Sequence, residues 1–385
     1  MEENKNYTLR QLVFYFLRLG TMGFGGPVAL VGYMHRDLVD ERKWISNDDY
    51  KDGLALAQLA PGPLAAQLGI YLGYVDYGIF GATLTGLAFV LPSFLMVVAL
   101  GFAYKLYGGL SWMQAVFYGV GASVIGIIAH SAYKLTQKTI GKDQLLWLIY
   151  VIAAIVTIAT ETESVLLFLG AGILTWLIKT PPKFTRSVGG LIPPPLLSFF
   201  LGSPPADNGT LLRIVGFFAK AGAMVFGSGL AIVPFLYGGV VNEYHWLNVK
   251  QFLDAVAVAM ITPGPVVITV GFIGFLVAGF TGAGLAALAT FLPCYLFTII
   301  PAPYFKKYGK RPDLAAFVAG VTAAATGAIS GAVVILGRKS ISDIPTALLA
   351  LVTVTLLFKT KKIKEPVIVL VAALIGLLLY PLVRH

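Results

Sequence analysis

The segment FLRLGTMGFGG at residues 16–26 has a degenerate copy, FAKAGAMVFGS, at residues 218–228, 202 positions later. The same offset places the Pro-Gly-Pro triplet at 61–63 on the triplet at 263–265. Glycine and proline interruptions at matching places in two apolar halves are typical of secondary transporters, which build their substrate sites at such breaks. The repeat therefore predicts two homologous halves that form a shared site.

Composition sets the class of protein. Hydrophobic residues make up 57% of the 385-residue chain and charged residues 12%, against roughly 25% charged residues in soluble domains. Apolar stretches long enough to cross a bilayer recur along nearly the whole chain, so we predict an all-α polytopic membrane protein whose partner is the lipid bilayer. The net charge of +10 lies mostly in loops between these stretches. Positive residues there set topology, which argues against a nucleic-acid partner.

The apolar stretches define the domain organisation. Residues 1–179 form the first predicted repeat, 180–211 a proline-rich linker, and 212–385 the second repeat. Each repeat contains six apolar segments. In the first repeat they cover 9–34, 52–76, 79–104, 112–133, 144–160 and 163–179. In the second they cover 212–239, 252–279, 281–303, 312–337, 344–358 and 365–383.

The basic residues predict the topology. Positive loops face the cytoplasm, and basic loops lie at 179–186, 306–311 and 359–364. An even number of crossings must then lie within 212–303, although this range holds three apolar segments. One Gly/Pro-broken segment per half is therefore expected to be re-entrant, which leaves about five crossings per half. An odd count makes the halves inverted repeats. The side on which the N-terminus lies stays open.

The first apolar segment of each half runs into a glycine-rich stretch. Glycine lets the backbone leave helical geometry, and a helix N-terminus freed there attracts an anion. Close helix packing through small residues is the alternative. Repetition of the stretch beside a basic residue favours an anion site. The residues predicted to contribute are Gly23, Phe24, Gly25, Gly26, Phe226, Gly227 and Ser228.

The basic residue is Arg18 in the first half and Lys220 at the matching position of the second. Arg18 lies roughly 12 Å inside the first segment, at 1.5 Å per helical residue. A cation at such depth normally faces a cavity or a partner, although both side chains are long enough to reach the interface instead. Inversion of the halves brings the two cations together. Two positive charges complement a divalent oxyanion, which Arg18 binds by two hydrogen bonds and Lys220 as a point charge.

The second apolar segment of each half carries a glycine between two prolines. Proline lacks an N–H and disrupts the preceding helix, so each motif predicts two half-helices, the second with its N-terminus at the break. A kink with a packing role is the alternative. Neutral side chains able to bond oxyanion oxygens flank both breaks. The predicted site residues here are Gln58, Pro61, Gly62, Pro63, Gln67, Thr262, Pro263, Gly264 and Pro265.

The other polar residues give weaker signals. Asp52 and Asp254 begin the second segment of each half, where we expect them to cap helices rather than to couple protons. The four histidines and Cys294 show no metal-ligand spacing. A phosphate-binding loop and a catalytic nucleophile motif are also missing from the sequence. We therefore predict a transporter without metal, cofactor or catalytic residues.

The combined motifs resemble those of the chromate ion transporter family. The resemblance covers nearly the whole chain, in the two-domain arrangement of the long members. It rests on FGGP at 24–27, Trp44 and APGP at 60–63, with degenerate copies FGSG at 226–229, Trp246 and TPGP at 262–265. It implies a multi-pass inner-membrane transporter that expels chromate, a tetrahedral dianion similar to sulfate, and so confers chromate resistance. The second copy departs at Ser228 and Gly229, so the halves are not expected to contact the anion equally.

Export agrees with the energetics. A dianion leaving an inside-negative cell gains about 4.6 kcal/mol at 100 mV, so proton antiport is not required. We expect alternating access by rocking of one half against the other. The alternatives are a transporter of another anion such as sulfate, an anion channel, and a membrane enzyme, for which the sequence supplies no catalytic cluster. The oligomeric state stays open, a homodimer included.

Overall fold

Helices account for all regular secondary structure in the part of the chain that the computed structural model describes. That part comprises residues 7–24, 26–108, 110–161, 165–181, 209–225, 229, 232–308, 311–341, 343–360 and 365–383. It contains no β-strand, as predicted for an all-α protein.

The helices occur in the same order in the two halves. Those of the first half are α1 (Leu9–Met22), α2 (Gly26–Met34), α3 (Asn47–Leu59), α4 (Leu64–Tyr107), α5 (Ser111–Ile140), α6 (Gln144–Thr160) and α7 (Val165–Lys179). Those of the second are α8 (Thr210–Ala223), α9 (Ile232–Tyr237), α10 (Val249–Ile261), α11 (Thr269–Ile299), α12 (Ala302–Tyr308), α13 (Pro312–Ser340), α14 (Ile344–Lys359) and α15 (Glu365–Val383). Short π-helical turns, His35–Glu41 and Gly238–Glu243, continue α2 and α9.

Several helices are apolar enough to cross a membrane. By length and composition, five described helical stretches qualify: Leu64–Tyr107, Ser111–Ile140, Val266–Phe305, Pro312–Ser340 and Glu365–Leu382. Three shorter apolar helices accompany them: Gln144–Thr160, Leu166–Lys179 and Ile344–Lys359. The chain is therefore a polytopic helical membrane protein.

The first apolar segment folds back on itself. Tyr15 on α1 donates a hydrogen bond to Asp37, in the π-helical turn after α2, at 3.2 Å. Tyr7 before α1 stacks on Trp44 beyond that turn, with ring centroids 5.1 Å apart. Residues far apart along the chain are thus neighbours, so α1 and α2 form a helical hairpin whose tip lies at the glycine-rich stretch. In the second half, Phe217 of α8 contacts Trp246 in the same way.

The proline motif divides the second apolar segment. α3 ends at Leu59 and α4 begins at Leu64, which confirms the predicted split into two half-helices. The half-helices are antiparallel, since a Cβ on Gly53 of α3 would lie 2.3 Å from the ring of Tyr71 in α4. A straight helix separates residues at this spacing by about 27 Å. The triplet at 61–63 therefore forms the tip of a second hairpin.

α4 then reverses direction at Gly78, where the backbone has φ 59° and ψ −151°. Beyond this point the hydroxyl of Thr85 donates to the carbonyl of Gly69 at 3.0 Å, although 16 residues of straight helix span about 24 Å. α11 reverses at Gly279, with φ 61° and ψ −150°. Only glycine adopts this backbone region readily. The predicted segment boundaries, between 76 and 79 and between 279 and 281, agree with these reversals.

The structure corrects the expectation of a single re-entrant segment per half. α1 has 14 residues and α3 has 13, so each is about 20 Å long and too short for a hydrocarbon core of about 30 Å. Two hairpins, not one, precede the long helices of the first half. Hydropathy does not distinguish a straight span from two antiparallel arms, because their apolar composition is the same. The predicted count of about five crossings per half assumed a single re-entrant segment, so it no longer follows.

The two halves exchange their last helices. α5 of the first half packs against α14 and α15 of the second, and α13 packs against α6 and α7 of the first. The backbones touch at these crossings: a Cβ on Gly119 would lie 2.0 Å from the carbonyl oxygen of Ala372, and a Cβ on Gly320 would lie 2.3 Å from that of Ala171. The halves therefore share one interlocked core and do not separate without exposing it.

The predicted capping role of the aspartates is wrong. Ser46 caps α3 by accepting a hydrogen bond from the backbone N–H of Asp49, at 3.0 Å. Asn248 caps α10 in a reciprocal pair with Gln251. Asp52 and Asp254 lie more than one turn inside these helices, too far from the first turn to serve as caps.

Replacing Gly222 with alanine tests the close helix packing. A Cβ there would lie 2.1 Å from the carbonyl oxygen of Thr290, so we expect α8 to be pushed off α11 and stability to fall by about 1–3 kcal/mol. Gly284→Ala is the matched control, because no atom lies within 4 Å of its Cβ position. The control should keep or gain stability, since alanine is the better helix former. Thermal unfolding of the detergent-purified variants measures both, and equal midpoints would contradict the packing.

Candidate functional site

The tips of the hairpins are joined across the two halves by backbone hydrogen bonds. The N–H of Gly62 donates to the carbonyl of Val225 at 2.6 Å, and the N–H of Gly264 donates to the carbonyl of Gly23 at 3.0 Å. Each proline motif thus docks on the glycine-rich stretch of the opposite half. The two bonds are equivalent under the sequence repeat, and we call the two docked pairs of segments together the junction.

Glycine is required at the centre of each proline motif for two reasons. Gly62 has φ 145° and Gly264 has φ 93°, values that side chains other than glycine rarely adopt. A Cβ on Gly264 would also lie 2.0 Å from the hydroxyl of Ser93, and one on Gly62 would lie 3.0 Å from the Cβ of Cys294. The sequence therefore allows the backbone N–H groups of these glycines to reach the opposite half.

The helix that restarts after the first break presents buried donors. Pro63 precedes α4 and provides no side-chain cap. Among the described residues, the backbone N–H groups of Leu64, Ala65 and Ala66 have no hydrogen-bond partner, and all three residues are buried. Unpaired donors at a helix N-terminus, together with the helix dipole, favour an anion. A helix thus restarts at the break as predicted, and its role in anion binding stays a prediction.

The neutral side chains predicted at the breaks differ in their availability. Gln67 is fully buried and donates from Nε2 to the carbonyl of Pro61 at 2.9 Å, while its Oε1 has no partner among the described residues. The hydroxyl of Thr262 donates to the carbonyl of Ala259 at 3.1 Å, so its hydrogen is already engaged. Gln58 is exposed on α3. Of the three, Gln67 is the one placed at the break with bonding capacity to spare.

An open cavity of about 580 Å³ lies beside the first hairpin. It runs along α1 and the glycine-rich stretch and reaches the π-helical turn after α2. Its lining is polar and carries more positive than negative groups. The residues that line it are Tyr15, Arg18, Leu19, Met22, Gly23, Phe24, Tyr33, Arg36, Asp37, Glu41 and Arg42.

Arg18 is the unpaired cation of this cavity. The structure describes no hydrogen bond or ion pair between Arg18 and the rest of the described chain. Arg36, by contrast, pairs with Asp37 at 2.8 Å and with Glu41 at 3.5 Å. The Arg42 guanidinium lies 4.6 Å from the ring centre of Trp44. Arg18 therefore keeps its full hydrogen-bonding fork for a ligand in the cavity.

Lys220 lies in a different environment. It is half-buried and interacts with the carboxylate of Glu243. Around it, the ring of Phe217 stacks on Phe235 at 5.4 Å, and a Cβ on Gly239 would lie 2.0 Å from the Phe217 ring. Aromatic rings thus fill the space that corresponds to the cavity of the first half. Among the described residues no contact joins Arg18 to Lys220, so their convergence stays a prediction.

Sequence reasoning missed Arg36 and Arg42 as cavity residues. The repeat offered a signal for them. The equivalent positions of the second copy hold Gly238 and Tyr244, so cations occur here in the first copy alone, which marks a chemical difference between the halves. Gly26, predicted as a site residue, begins α2 with φ 73°. Four of the predicted residues lie outside the described part of the chain: Gly25, Phe226, Gly227 and Ser228.

Comparison with known proteins identifies relatives over the whole chain. The family model described as "Chromate transporter" matches residues 10–176 and again 212–377. A "Chromate transport protein" of Cupriavidus metallidurans is 70% identical over 98% of this chain and 95% of its own length. A "Probable chromate transport protein" of Synechococcus elongatus is 64% identical over 97% and 96%. The "Chromate transport protein" of Pseudomonas aeruginosa is 28% identical over 96% and 92%.

No solved structure matches the chain. The two matches of the family model agree with the repeat in the sequence, and the two Pro-Gly-Pro motifs that carry part of the resemblance lie at the junction of the hairpins. The chain therefore belongs to the chromate transporter family.

Proposed function

We propose that this protein is a secondary transporter that exports chromate across the cytoplasmic (inner) membrane by alternating access and thereby confers chromate resistance. The observation that carries the proposal is the open cavity beside the tip of the first hairpin, which is lined by the unpaired Arg18. Relatives at 70% and 64% identity are named for chromate transport, one of them as probable. No catalytic role is assigned to any residue.

The substrate chemistry follows from the donors around the junction. A tetrahedral dianion offers four oxygens, and Arg18 binds two neighbouring ones with parallel N–H bonds. The free N–H groups at the start of α4, which do not line this cavity, offer a second set of anion donors at the first break. Gln67 supplies a further N–H from its amide. Lys220 balances the second negative charge once the halves move. Sulfate has the same charge and shape, so competition between the two anions is part of the test below.

We propose that the repeats, 1–179 and 212–385, are inverted relative to each other. Two contacts between α4 and α11 support this arrangement. Thr83, near the reversal of α4, bonds with Tyr295 near the end of α11 at 2.7 Å, while a Cβ on Gly101 would lie 2.9 Å from the ring of Phe275. The long arms of these helices therefore run antiparallel. Equivalent helices of inverted repeats run in opposite directions across the membrane.

The halves take different parts in the cycle that we propose. The open cavity of the first half carries three arginines, whereas aromatic rings fill the equivalent space of the second half. The anion enters along the first hairpin, attracted by Arg42 and Arg36, and binds at Arg18. Rocking of the halves about the junction then opens the other side. Export needs no further energy source, since the membrane potential supplies about 4.6 kcal/mol per dianion at 100 mV.

Arg18→Gln should abolish potential-driven chromate flux while leaving membrane abundance unchanged. Loss of a charged hydrogen-bonding partner lowers anion affinity by about tenfold to a hundredfold. Lys220→Gln should have a similar or milder effect. The measurement is chromate flux in proteoliposomes with an imposed potential, in the presence and absence of excess sulfate. Arg10→Gln, two turns earlier on α1 and also exposed, is the matched control and should transport normally. Normal flux in both Arg18→Gln and Lys220→Gln would refute the paired-cation site.

Arg42→Gln should raise the KM for chromate by about threefold to tenfold and leave the maximal rate unchanged. Arg42 is an exposed residue of the cavity lining, where a positive charge raises the local anion concentration and salt screens the effect. The variant should therefore also lose part of the salt dependence of KM. Lys43→Gln, at the next residue but outside the cavity lining, serves as control. An equal effect of the two substitutions would contradict entry along the first hairpin.

A further inference from the structure

Asp254 is a buried carboxyl group that the proposed anion site does not use. Its exposed fraction is 2%, and it is the one acidic side chain that is fully buried among the described residues. It lies within α10, the half-helix that ends at the Thr262 break. An ionisable group inside a membrane protein is costly and normally has a functional role with an identifiable partner.

The partner of Asp254 comes from the opposite half. Tyr104 of α4 donates a hydrogen bond from its hydroxyl to Asp254 at 2.7 Å. The Tyr104 ring packs edge-on against Phe117 and Phe272, at 5.4 and 5.5 Å. No cation forms an ion pair with Asp254 in the described structure. Tyr104 is itself only half-buried.

Few other charged groups face Asp254 from the elements packed against α10. On α10 itself, Lys250 lies one turn away and attracts the carboxylate. The turn before α10 carries Glu243, which interacts with Lys220. α15 carries Glu365, whose charged neighbour is Lys134 of α5. α5 also holds His130, which packs on Phe358. α11 has no charged residue. Tyr104 and Lys250 therefore set the environment of Asp254.

The first half lacks this arrangement. Asp52, the equivalent of Asp254, is only half-buried. From the chain reversals at Gly78 and Gly279 onward the offset between the two halves is 201 positions, and it places Phe305 at the position that corresponds to Tyr104. Phenylalanine has no hydroxyl to donate, so a buried, hydrogen-bonded carboxyl exists in one copy only. A purely structural feature of the duplicated fold would be expected in both copies.

We propose that Asp254 is a proton-binding site linked to the anion site, which takes up a proton when a divalent oxyanion binds. Burial favours the neutral carboxyl and the Tyr104 hydrogen bond favours the carboxylate, so a modest change in local charge decides between them. The inference rests on the proposed transport of such an anion. It adds a coupled proton, which the membrane potential alone does not require.

The linkage follows from the distance along α10. Eight residues separate Asp254 from Thr262 at the break, about 12 Å of helix. The break adjoins the anion cavity, because the N–H of Gly264 donates to the carbonyl of Gly23, which lines that cavity. At an effective dielectric constant of about 20, a dianion about 12 Å from the carboxylate raises its proton affinity by up to about a hundredfold, and a more distant dianion raises it less. By reciprocity, protonation raises the anion affinity by the same factor. The proton and the anion therefore bind together, and net charge moved per cycle falls by one.

Proton uptake by the purified full-length protein tests the proposal. Sulfate, and separately chromate, is added to the protein in weakly buffered solution, with protein-free titrations as blanks. The wild type should take up as much as one proton per chain and should bind sulfate more tightly as pH falls. Asp254→Asn should abolish both effects while still binding the anion. Asp52→Asn is the matched control and should behave as the wild type does.

Two results overturn the proposal: unchanged proton uptake in Asp254→Asn, or anion binding by the wild type without uptake. Tyr104→Phe keeps the test decisive if Asp254→Asn does not fold. Removing a hydrogen bond that favours the carboxylate should move the pH dependence of sulfate affinity to higher pH, and an unmoved profile counts against the proposal. Wild-type protein that binds neither anion refutes the proposed function instead, so the two failures are distinguishable.

Discussion

The fold depends on satisfying backbone polar groups where four helical segments are interrupted inside an apolar protein. An unpaired N–H or C=O in a lipid-like environment costs several kcal/mol, so irregular backbone survives there only when protein buries it or water reaches it. Here each half satisfies backbone polar groups of the other, through the Gly62–Val225 and Gly264–Gly23 hydrogen bonds. Neither half contains both members of either pair. The junction therefore forms only when the halves are joined.

The exchange of terminal helices reinforces this dependence. α5 and α13 each pack on the last helices of the opposite half. The two halves are therefore held together both by these helix contacts and by the hydrogen bonds of the junction. The hairpin tips are thereby held at the centre of the protein. The donors that remain free, at the start of α4, point to a ligand rather than to a defect in the structure. A transporter gains from this arrangement because movement of one half changes the environment of the junction.

The halves have diverged around a common frame. Their hairpins, reversals and cross-half bonds correspond, yet polar groups differ at several equivalent positions. Arg36 and Arg42 are replaced by Gly238 and Tyr244, and Tyr104 by Phe305. The first copy thus has an open cationic cavity. The second copy has the buried carboxyl of Asp254, which accepts a hydrogen bond from Tyr104 of the first copy. After duplication the packing of the two copies stayed the same, while their polar and charged side chains diverged.

Sequence reasoning located the breaks and the chain reversals because glycine and proline act locally. It predicted that one broken segment per half folds back but missed that both do in the first half, since hydropathy does not report direction. It assigned capping to Asp52 and Asp254 because the segment starts were read about one turn too late. The contact between Gly62 and Val225 could not be predicted from the sequence, because hydrogen bonding between distant backbone segments does not depend on composition. The predicted meeting of Arg18 and Lys220 depends on such long-range geometry and stays a prediction.

The most direct measurement is a map of the protein bound to tungstate, a tetrahedral dianion with strong scattering. The account places the anion density beside Arg18 and the hairpin junction, within hydrogen-bonding distance of the Arg18 guanidinium. Loss of that density in Arg18→Gln would strengthen the assignment. Density confined to the lipid-facing or loop surfaces, with the junction closed and empty, would contradict the account.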